Sequence, residues 1–581
     1  MARSHATVAQ RPEVASHQAL ALNNPMQKPW LKSYPPDVPH EIDPQQFRSL
    51  KHLAEQCMHE HAARPAYVQM DREMSYGELD NLSGAFGAWL QRAGLQPGDR
   101  IAIMLPNLLQ YPVVMMGAIR AGLVVVNTNP LYTPRELEHQ LNDSGATVLV
   151  ILENFCHTLQ AVLPNVALKK IIVTAVGDLL GFPQSLIVNY VVKHRRKQVP
   201  PWNIPGALRL KHVLAEGRAL TLRDVQVGHD DIAYLQYTGG TTGVSKGAVL
   251  SHRNMVANVL QGRAWFNQGL SADSNYVIAL PLYHIFSLTA NCWLFMTVGA
   301  RGILIANPRD FPGFVATLQK YPPAFFMGVN TLFNSLLNSA GFDRIDHSKL
   351  RASIGGGMAV QAAVAQRWKA ATGCVLSQGW GLTETSPIAT MSRLDATEFT
   401  GSIGLPVSST EISIRDDDGK ALELGQVGEI CVRGPQVMQG YYNRPDETAK
   451  VMLPEGWLRT GDIGRIDAAG YVYIEDRKKD MILVSGFNVY PNEVESVAVT
   501  HPGVLECAAV AQNDEKSGEV VVLFVVRKDP ALTEAALIAH CREGLTGYKV
   551  PRHIYFRDEL PKTNVGKILR RALRDELSKT G

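Results

Sequence analysis

Residues 237–247 read Tyr237-Thr238-Gly239-Gly240-Thr241-Thr242-Gly243-Val244-Ser245-Lys246-Gly247. Glycines let backbone N–H groups approach an anion closely, and the hydroxyls with one ammonium complete a cradle for phosphate oxygens. The spacing departs from the Gly-Lys-Ser/Thr loop that joins a strand to a helix in the common nucleotidases. Apolar runs flank it, Ile232-Ala233-Tyr234-Leu235-Gln236 before and Ala248-Val249-Leu250 after. They predict two short buried strands with the loop at a hairpin tip. A surface linker has a similar composition, but linkers are seldom hemmed in by apolar strands on both sides.

Toward the N-terminus the chain alternates. The spacing predicts a helix over 76–93 ended by Gly94, a turn at Gln96-Pro97-Gly98-Asp99 and a strand over 100–105. A helix over 112–121, a strand over 123–126, a helix opened by Pro134 and a strand over 146–152 repeat the pattern. Such alternation predicts a mostly parallel sheet covered on both faces. Residues 186–192 are apolar and run into Lys193-His194-Arg195-Arg196-Lys197. That helix could rest on an anionic membrane, or pack on the protein with a solvated basic end that offsets its own dipole.

Toward the C-terminus, Ser251 is placed to cap a helix through 265. Residues 274–300 carry no Lys, Arg, Asp or Glu, yet Pro281, His284 and Asn291 favour a buried strand, loop and helix over a membrane span. His284 stands at a strand-to-loop break, where ligands bind in such sheets, although a histidine among apolar residues is also a common core group. Gly355-Gly356-Gly357 permit either close approach to a flat ligand or a tight turn. A strand over 374–376 runs into Gln378-Gly379-Trp380-Gly381-Leu382-Thr383-Glu384-Thr385. There an aromatic could stack on a base, and a hydroxyl and a carboxylate could meet a phosphate and its magnesium ion; a capped turn has the same composition.

A turn-rich β region follows, with a loop over 456–462 ending in Asp462, whose carboxylate could accept two ribose hydroxyls. Asp476-Arg477-Lys478-Lys479-Asp480 reads as a hinge or a solvated turn. Beyond it a small domain is expected, with strands over 506–511, 520–526 and 553–556 and a helix over 533–545. Lys567 precedes a final amphipathic helix with Ile568, Leu569, Leu573 and Leu577 near one face.

The chain has 581 residues, 46% apolar and 19% charged, enough for a large core and several domain-sized units. A net charge of +3 gives no global field pointing to nucleic acid. Seven widely spaced cysteines fit neither a disulfide framework nor a zinc site, which suits a reducing, cytoplasmic compartment. Residues 1–27 lack the apolar core of a secretory signal and are expected to be a disordered extension.

The order of these motifs resembles the adenylate-forming superfamily of acyl-CoA synthetases, luciferases and peptide-synthetase adenylation domains. Glu455-Gly456-Trp457, the run from Ile474 to Pro491, Pro35-Pro36-Asp37-Val38-Pro39 and Leu131-Tyr132-Thr133-Pro134-Arg135 are similar to bacterial long-chain fatty acid CoA ligases. The resemblance implies an α/β fold: a large N-terminal domain of sheets covered by helices with a β subdomain (28–476), a hinge (477–480) and a small mobile α+β domain (481–581). It implies that a fatty carboxylate attacks the α-phosphate of ATP to give acyl-AMP, and that coenzyme A then displaces AMP, feeding fatty acid degradation and lipid metabolism. A ligase that uses a carrier-protein thiol is the alternative within the superfamily, and a lipid-binding scaffold the alternative outside it.

By the same resemblance Thr238, Gly239, Gly240, Thr241, Thr242 and Gly243 with Lys246 hold the β- and γ-phosphates, and Glu384 with Thr241 holds magnesium. Gly355, Gly356, Gly357, Gln378, Gly379 and Trp380 form the adenine slot, and Gly381 and Thr383 are further cofactor-binding residues. Asp462 and Arg477 contact the ribose, His284 lies near the carboxylate, and Lys567 bridges carboxylate and α-phosphate. The family usually has tyrosine where this chain has Trp380, and in some members an aromatic gate where it has Leu288. Peripheral contact with the inner face of a membrane and assembly as a homodimer both stay open.

Overall fold

The computed structural model describes residues 28–238, 245–266, 269–514, 516–563 and 565–580. The alternation upstream of the loop yields an eight-stranded sheet in which Arg100–Met104, Val124–Asn127, Val148–Leu152 and Lys170–Thr174 run parallel. Ile232–Thr238 extends it in parallel beside Val124–Asn127 and turns back antiparallel as Lys246–Ser251, with Thr238 opposite Lys246. These are the hairpin strands expected from the apolar flanks; residues 239–244 between them lie outside the described residues. Thr133 and Glu136 close a capping box over the helix Pro134–Ser144, and Ser251 caps His252–Trp265.

A nine-stranded mixed sheet carries Asn275–Ile278 inside it, and the helical run from Ile285 to Met296 beyond that strand is almost wholly buried. Among the described residues no helix is long and apolar enough to cross a membrane. Both sheets and the helices Tyr76–Arg92, Gln110–Arg120 and His252–Trp265 contribute to one continuous core.

Three local expectations differ from the structure. Thr460, Gly461 and Asp462 do not form a loop; they lie inside the strand Leu458–Ile466, whose residues alternate between buried and part-exposed. Pairing with Gly428–Arg433 on one side and Val472–Arg477 on the other outweighs the turn preference of Gly and Asp. The strand expected at 374–376 is Leu376–Gly381, so Gln378, Gly379 and Trp380 are strand residues held in register by Ala352–Gly356. The final helix begins only at Arg570. Ile568 instead bridges Lys562, and the Leu569 N–H donates to the Pro561 carbonyl at 2.8 Å, so Lys567 sits in a turn rather than on a helix.

Residues beyond the charge run build a five-stranded sheet centred on Val504–Asp514 and Gly518–Arg527. One face packs on Pro491–Ala498 and Glu534–Gly544, the other on Leu573 and Leu577 of the last helix. Within the charge run Lys478 and Lys479 are exposed in a turn, while the acidic residues are tied to the last helix. Asp476 is 1% exposed, and Arg570 of the last helix lies 3.8 Å from Asp476, 3.7 Å from Asp480 and 2.8 Å from Glu495.

Candidate active site

Parallel strands Ala352–Gly356 and Leu376–Gly381 end side by side, with Gly356 level with Gly379. Their ends open into a cavity of about 1020 Å³. Its wall brings together Thr238, Lys246, His284, Gly356, Gly357, Gly379, Trp380, Gly381, Thr383, Glu384, Arg477 and Lys567 from separate parts of the chain. Gly239, Gly240, Thr241, Thr242 and Gly243 lie outside the described residues.

Gly355 and Gln378 do not line this space. A Cβ on Gly355 would fall 2.3 Å from Val360 Cγ2, so this glycine serves internal packing. The Gln378 amide donates to the Ser402 carbonyl at 3.0 Å and accepts the Val360 N–H at 3.1 Å, which ties it into the sheet behind the wall. Gly357 does face the cavity, with φ +77°, and a Cβ there would stand 3.0 Å from Lys567 Cε. The missing side chain is what leaves room for the lysine.

Lys567 is positioned by its turn. Its N–H donates to Thr563 Oγ1 at 3.1 Å, its carbonyl accepts the Thr563 N–H at 2.7 Å, and the Gly566 carbonyl accepts the Thr331 hydroxyl at 3.0 Å. Burial, reinforced by the Arg477 guanidinium and offset by Asp462 and Glu384, lowers the Lys567 ammonium to about 8. His284 caps a helical turn, and its Nδ1 accepts the Phe286 N–H at 3.3 Å, which leaves the ring proton on Nε2. Burial and then the Lys567 charge push His284 down to about 3, so the imidazole is neutral at working pH.

Asp462, 2% exposed, stands behind the wall with both oxygens engaged. Arg477 Nε lies 2.6 Å from Oδ1, and Trp380 Nε1 donates to Oδ2 at 2.8 Å. The indole N–H thus makes a hydrogen bond of its own where the phenol hydroxyl is lost. Leu288 is fully buried in the core and does not line the cavity.

Sequence reasoning missed Tyr441 and Glu447. The short strand Gly440–Tyr441 pairs with Lys246–Ser251, which brings the Tyr441 hydroxyl to 2.7 Å from Glu384 Oε1 and its ring to 4.9 Å from the Lys246 ammonium. Glu447 pairs with Lys246 and with Lys450, and these lysines hold its carboxyl down to about 2. Only a two-residue strand carries the Tyr441 contact, and no periodicity announces so short an element; Glu447 lies on the helix Pro445–Val451 that follows.

The cavity has two chemical characters. Lys246, Arg459, Arg477, Lys478, Lys479 and Lys567 line it together with the carboxylates Glu384, Glu429 and Glu447, and Phe266, Ala290, Met327, Ile354, Ile388 and Met391 add apolar lining. The basic groups suit a polyanion; the apolar lining suits a hydrocarbon, each buried methylene contributing about 0.8 kcal/mol. Among the described residues no group of three His, Cys, Asp or Glu side chains could hold a metal. Mg²⁺ needs less, since it takes one or two carboxylates, waters and the phosphates of its substrate. Glu384, with one oxygen steadied by Tyr441, fits that requirement.

The sequence profile described as AMP-binding enzyme matches residues 53–442, and that of the AMP-binding enzyme C-terminal domain matches 493–567. A long-chain-fatty-acid–CoA ligase of Yersinia pestis is 53% identical over 558 residues, covering 96% of this chain and 99% of the relative. The long-chain-fatty-acid–CoA ligase of Bacillus subtilis is 36% identical over 559 residues, covering 95% and 98%. Among solved structures, an anthranilate CoA ligase in complex with anthranoyl-AMP superposes with a TM-score of 0.82 at 26% identity, covering 93% of this chain and 100% of that one. ATP-bound MatB from Rhodopseudomonas palustris gives 0.79 at 27%, covering 91% and 99%.

Proposed function

The chain belongs to the AMP-binding enzyme family, and within it we propose that the protein is a long-chain fatty acid CoA ligase, converting fatty acid, ATP and coenzyme A to acyl-CoA, AMP and diphosphate. The observation that carries the substrate class is one cavity lined by both basic and apolar side chains, with Lys567 among the groups of its wall. A carboxylate and a triphosphate repel each other, so the barrier to their reaction falls when fixed positive charge surrounds the transferring phosphorus.

In the first step the acyl chain lies among Phe266, Ala290, Met327 and Ile388, with its carboxylate at the His284 end. Lys567 bridges that carboxylate and the α-phosphate as the new C–O–P linkage forms and diphosphate leaves. Lys246 exchanges Glu447 for the β- and γ-phosphates, joined by Thr238 and residues 239–243. Trp380 and the Gly356, Gly357 and Gly379 backbone frame the adenine; Gly355 and Gln378 support that frame from behind. Arg477 meets the ribose, held in place by Asp462 behind the wall. Neutral His284 can donate from Nε2 toward the carboxylate. Magnesium, held by Glu384 with Thr241, would offset phosphate charge.

In the second step the domain beyond residues 477–480 rotates about Lys479, withdraws Lys567 and presents Ser485 to Asn488 to the thiol, which attacks the acyl carbon and expels AMP. Phe487, 58% exposed, is free to meet such a new neighbour. The enzyme would act in the cytoplasm and draw its substrate from a lipid surface, as a monomer or homodimer. Incubation with palmitate, ATP and coenzyme A is expected to yield palmitoyl-CoA and AMP; failure to form palmitoyl-CoA, or transfer only to a carrier protein, refutes this assignment.

A further inference from the structure

The helix Gln184–Tyr190 continues through a wider turn, Val191–Arg195, and is fastened along one side only. Val188 packs against the main core, Ser185 accepts a hydrogen bond from Lys211 at 3.0 Å, and Asn189 binds the Gly177 N–H at 2.7 Å and Asp178 at 3.1 Å. The other side holds large apolar residues in the open: Phe182 is 88% exposed, Leu186 61%, Ile187 58% and Tyr190 59%. Gln184 donates to the Met70 carbonyl at 2.6 Å, and Met70, 45% exposed, widens the patch. So compact a cluster of exposed apolar side chains marks an interaction surface.

The patch runs directly into exposed Lys193, His194, Arg195, Arg196 and Lys197. From Leu179 to Ala215 the chain carries no Asp or Glu. Arg209 and Lys211 in this stretch are paired with Glu153 and Asp178, whereas Lys193, Arg195, Arg196 and Lys197 have no ion-pair partner among the described residues. With a net charge of only +3 on the chain, the basic character here is local. A second copy docking by the same face would bring two such clusters together, which like-charge repulsion opposes. The helical run is too short to span a bilayer, but a short helix with apolar residues outward and a basic end lies in the plane of an anionic surface.

We infer that Phe182, Leu186, Ile187 and Tyr190 with the basic run 193–197 form an in-plane anchor for an anionic lipid bilayer. The apolar residues enter the headgroup boundary, Tyr190 sits at the level where its ring is buried and its hydroxyl wet, and the lysines and arginines meet lipid phosphates. This deepens the proposed function by naming the surface that would face the source of a poorly soluble substrate, and rests on it only for that purpose.

The test is co-sedimentation of the full chain with vesicles of phosphatidylcholine alone or mixed equally with phosphatidylglycerol. The wild type is expected to pellet with the anionic vesicles and not with the neutral ones, and less so as salt rises. Leu186→Ser/Ile187→Ser and Arg195→Glu/Arg196→Glu should each lower the partition coefficient about tenfold or more, with unchanged thermal unfolding. A wild type that stays in the supernatant, pellets equally with neutral vesicles, or is matched by both variants overturns the inference and leaves the patch to a protein partner. Partition needs no turnover, so this result and the palmitoyl-CoA assay succeed or fail separately.

Discussion

Replacing Lys567 by alanine removes the one cation that the turn at 563–567 carries into the wall of the cavity. Deleting a preorganised donor at a developing anionic centre costs about 3–4 kcal/mol, so fatty-acid-dependent exchange of pyrophosphate into ATP should fall by roughly 10²–10³. Transfer from synthetic acyl-adenylate to coenzyme A should persist within a few fold, because the second step uses the domain in another orientation. The pH dependence follows from the depressed value of about 8. The charged form is the active one, so kcat/KM for adenylation should be level below that pH and decline above it, to roughly a tenth by pH 9. Bound anions favour the ammonium, so the kcat profile should break at higher pH than kcat/KM. His284, held near 3, adds no acid limb above pH 5. Lys567→Arg, charged throughout, should abolish the alkaline decline at a lower maximal rate. The linkage has a definite sign: a lysine whose folded value lies below its unfolded value opposes the closed arrangement while protonated, so stability should rise with pH between about 8 and 10.5. Exchange by Lys567→Ala within threefold of wild type, or a kcat/KM flat to pH 9, would refute this reasoning.

Two other perturbations probe the same frame. Trp380→Phe keeps the ring and loses the N–H that holds Asp462 Oδ2; a hydrogen bond to a charged group contributes about 1.5–3 kcal/mol, so KM for ATP should rise roughly tenfold or more, and an unchanged KM would show that Arg477 alone orients the carboxylate. Arg570→Ala strips the partner from Glu495, whose carboxyl burial already pushes up, and should destabilise the C-terminal unit by about 3–5 kcal/mol in urea unfolding; an unshifted transition would mean the cluster has no net worth.

Local chemistry made much of this protein legible before any coordinates. The apolar flanks of the 237–247 loop, Pro134 at a first helical turn and Ser251 at a cap each specify their neighbours' geometry, because the interactions involved span only a few residues. The motif order from the loop to Lys567 likewise pointed to adenylate chemistry through resemblance. Where the reading departed from the structure, partners distant in sequence decide the outcome. Two antiparallel neighbours turn Thr460-Gly461-Asp462 into strand. Gln378 turns inward because Val360 and Ser402 take its amide, and Tyr441 reaches Glu384 only through pairing with the loop's return strand. Hydrogen-bond preferences and side-chain periods are properties of a short window of chain. The depressed Lys567, the neutral His284 and the mixed basic and apolar lining of the cavity are properties of charges and surfaces that meet only when segments hundreds of residues apart exclude water from a common space.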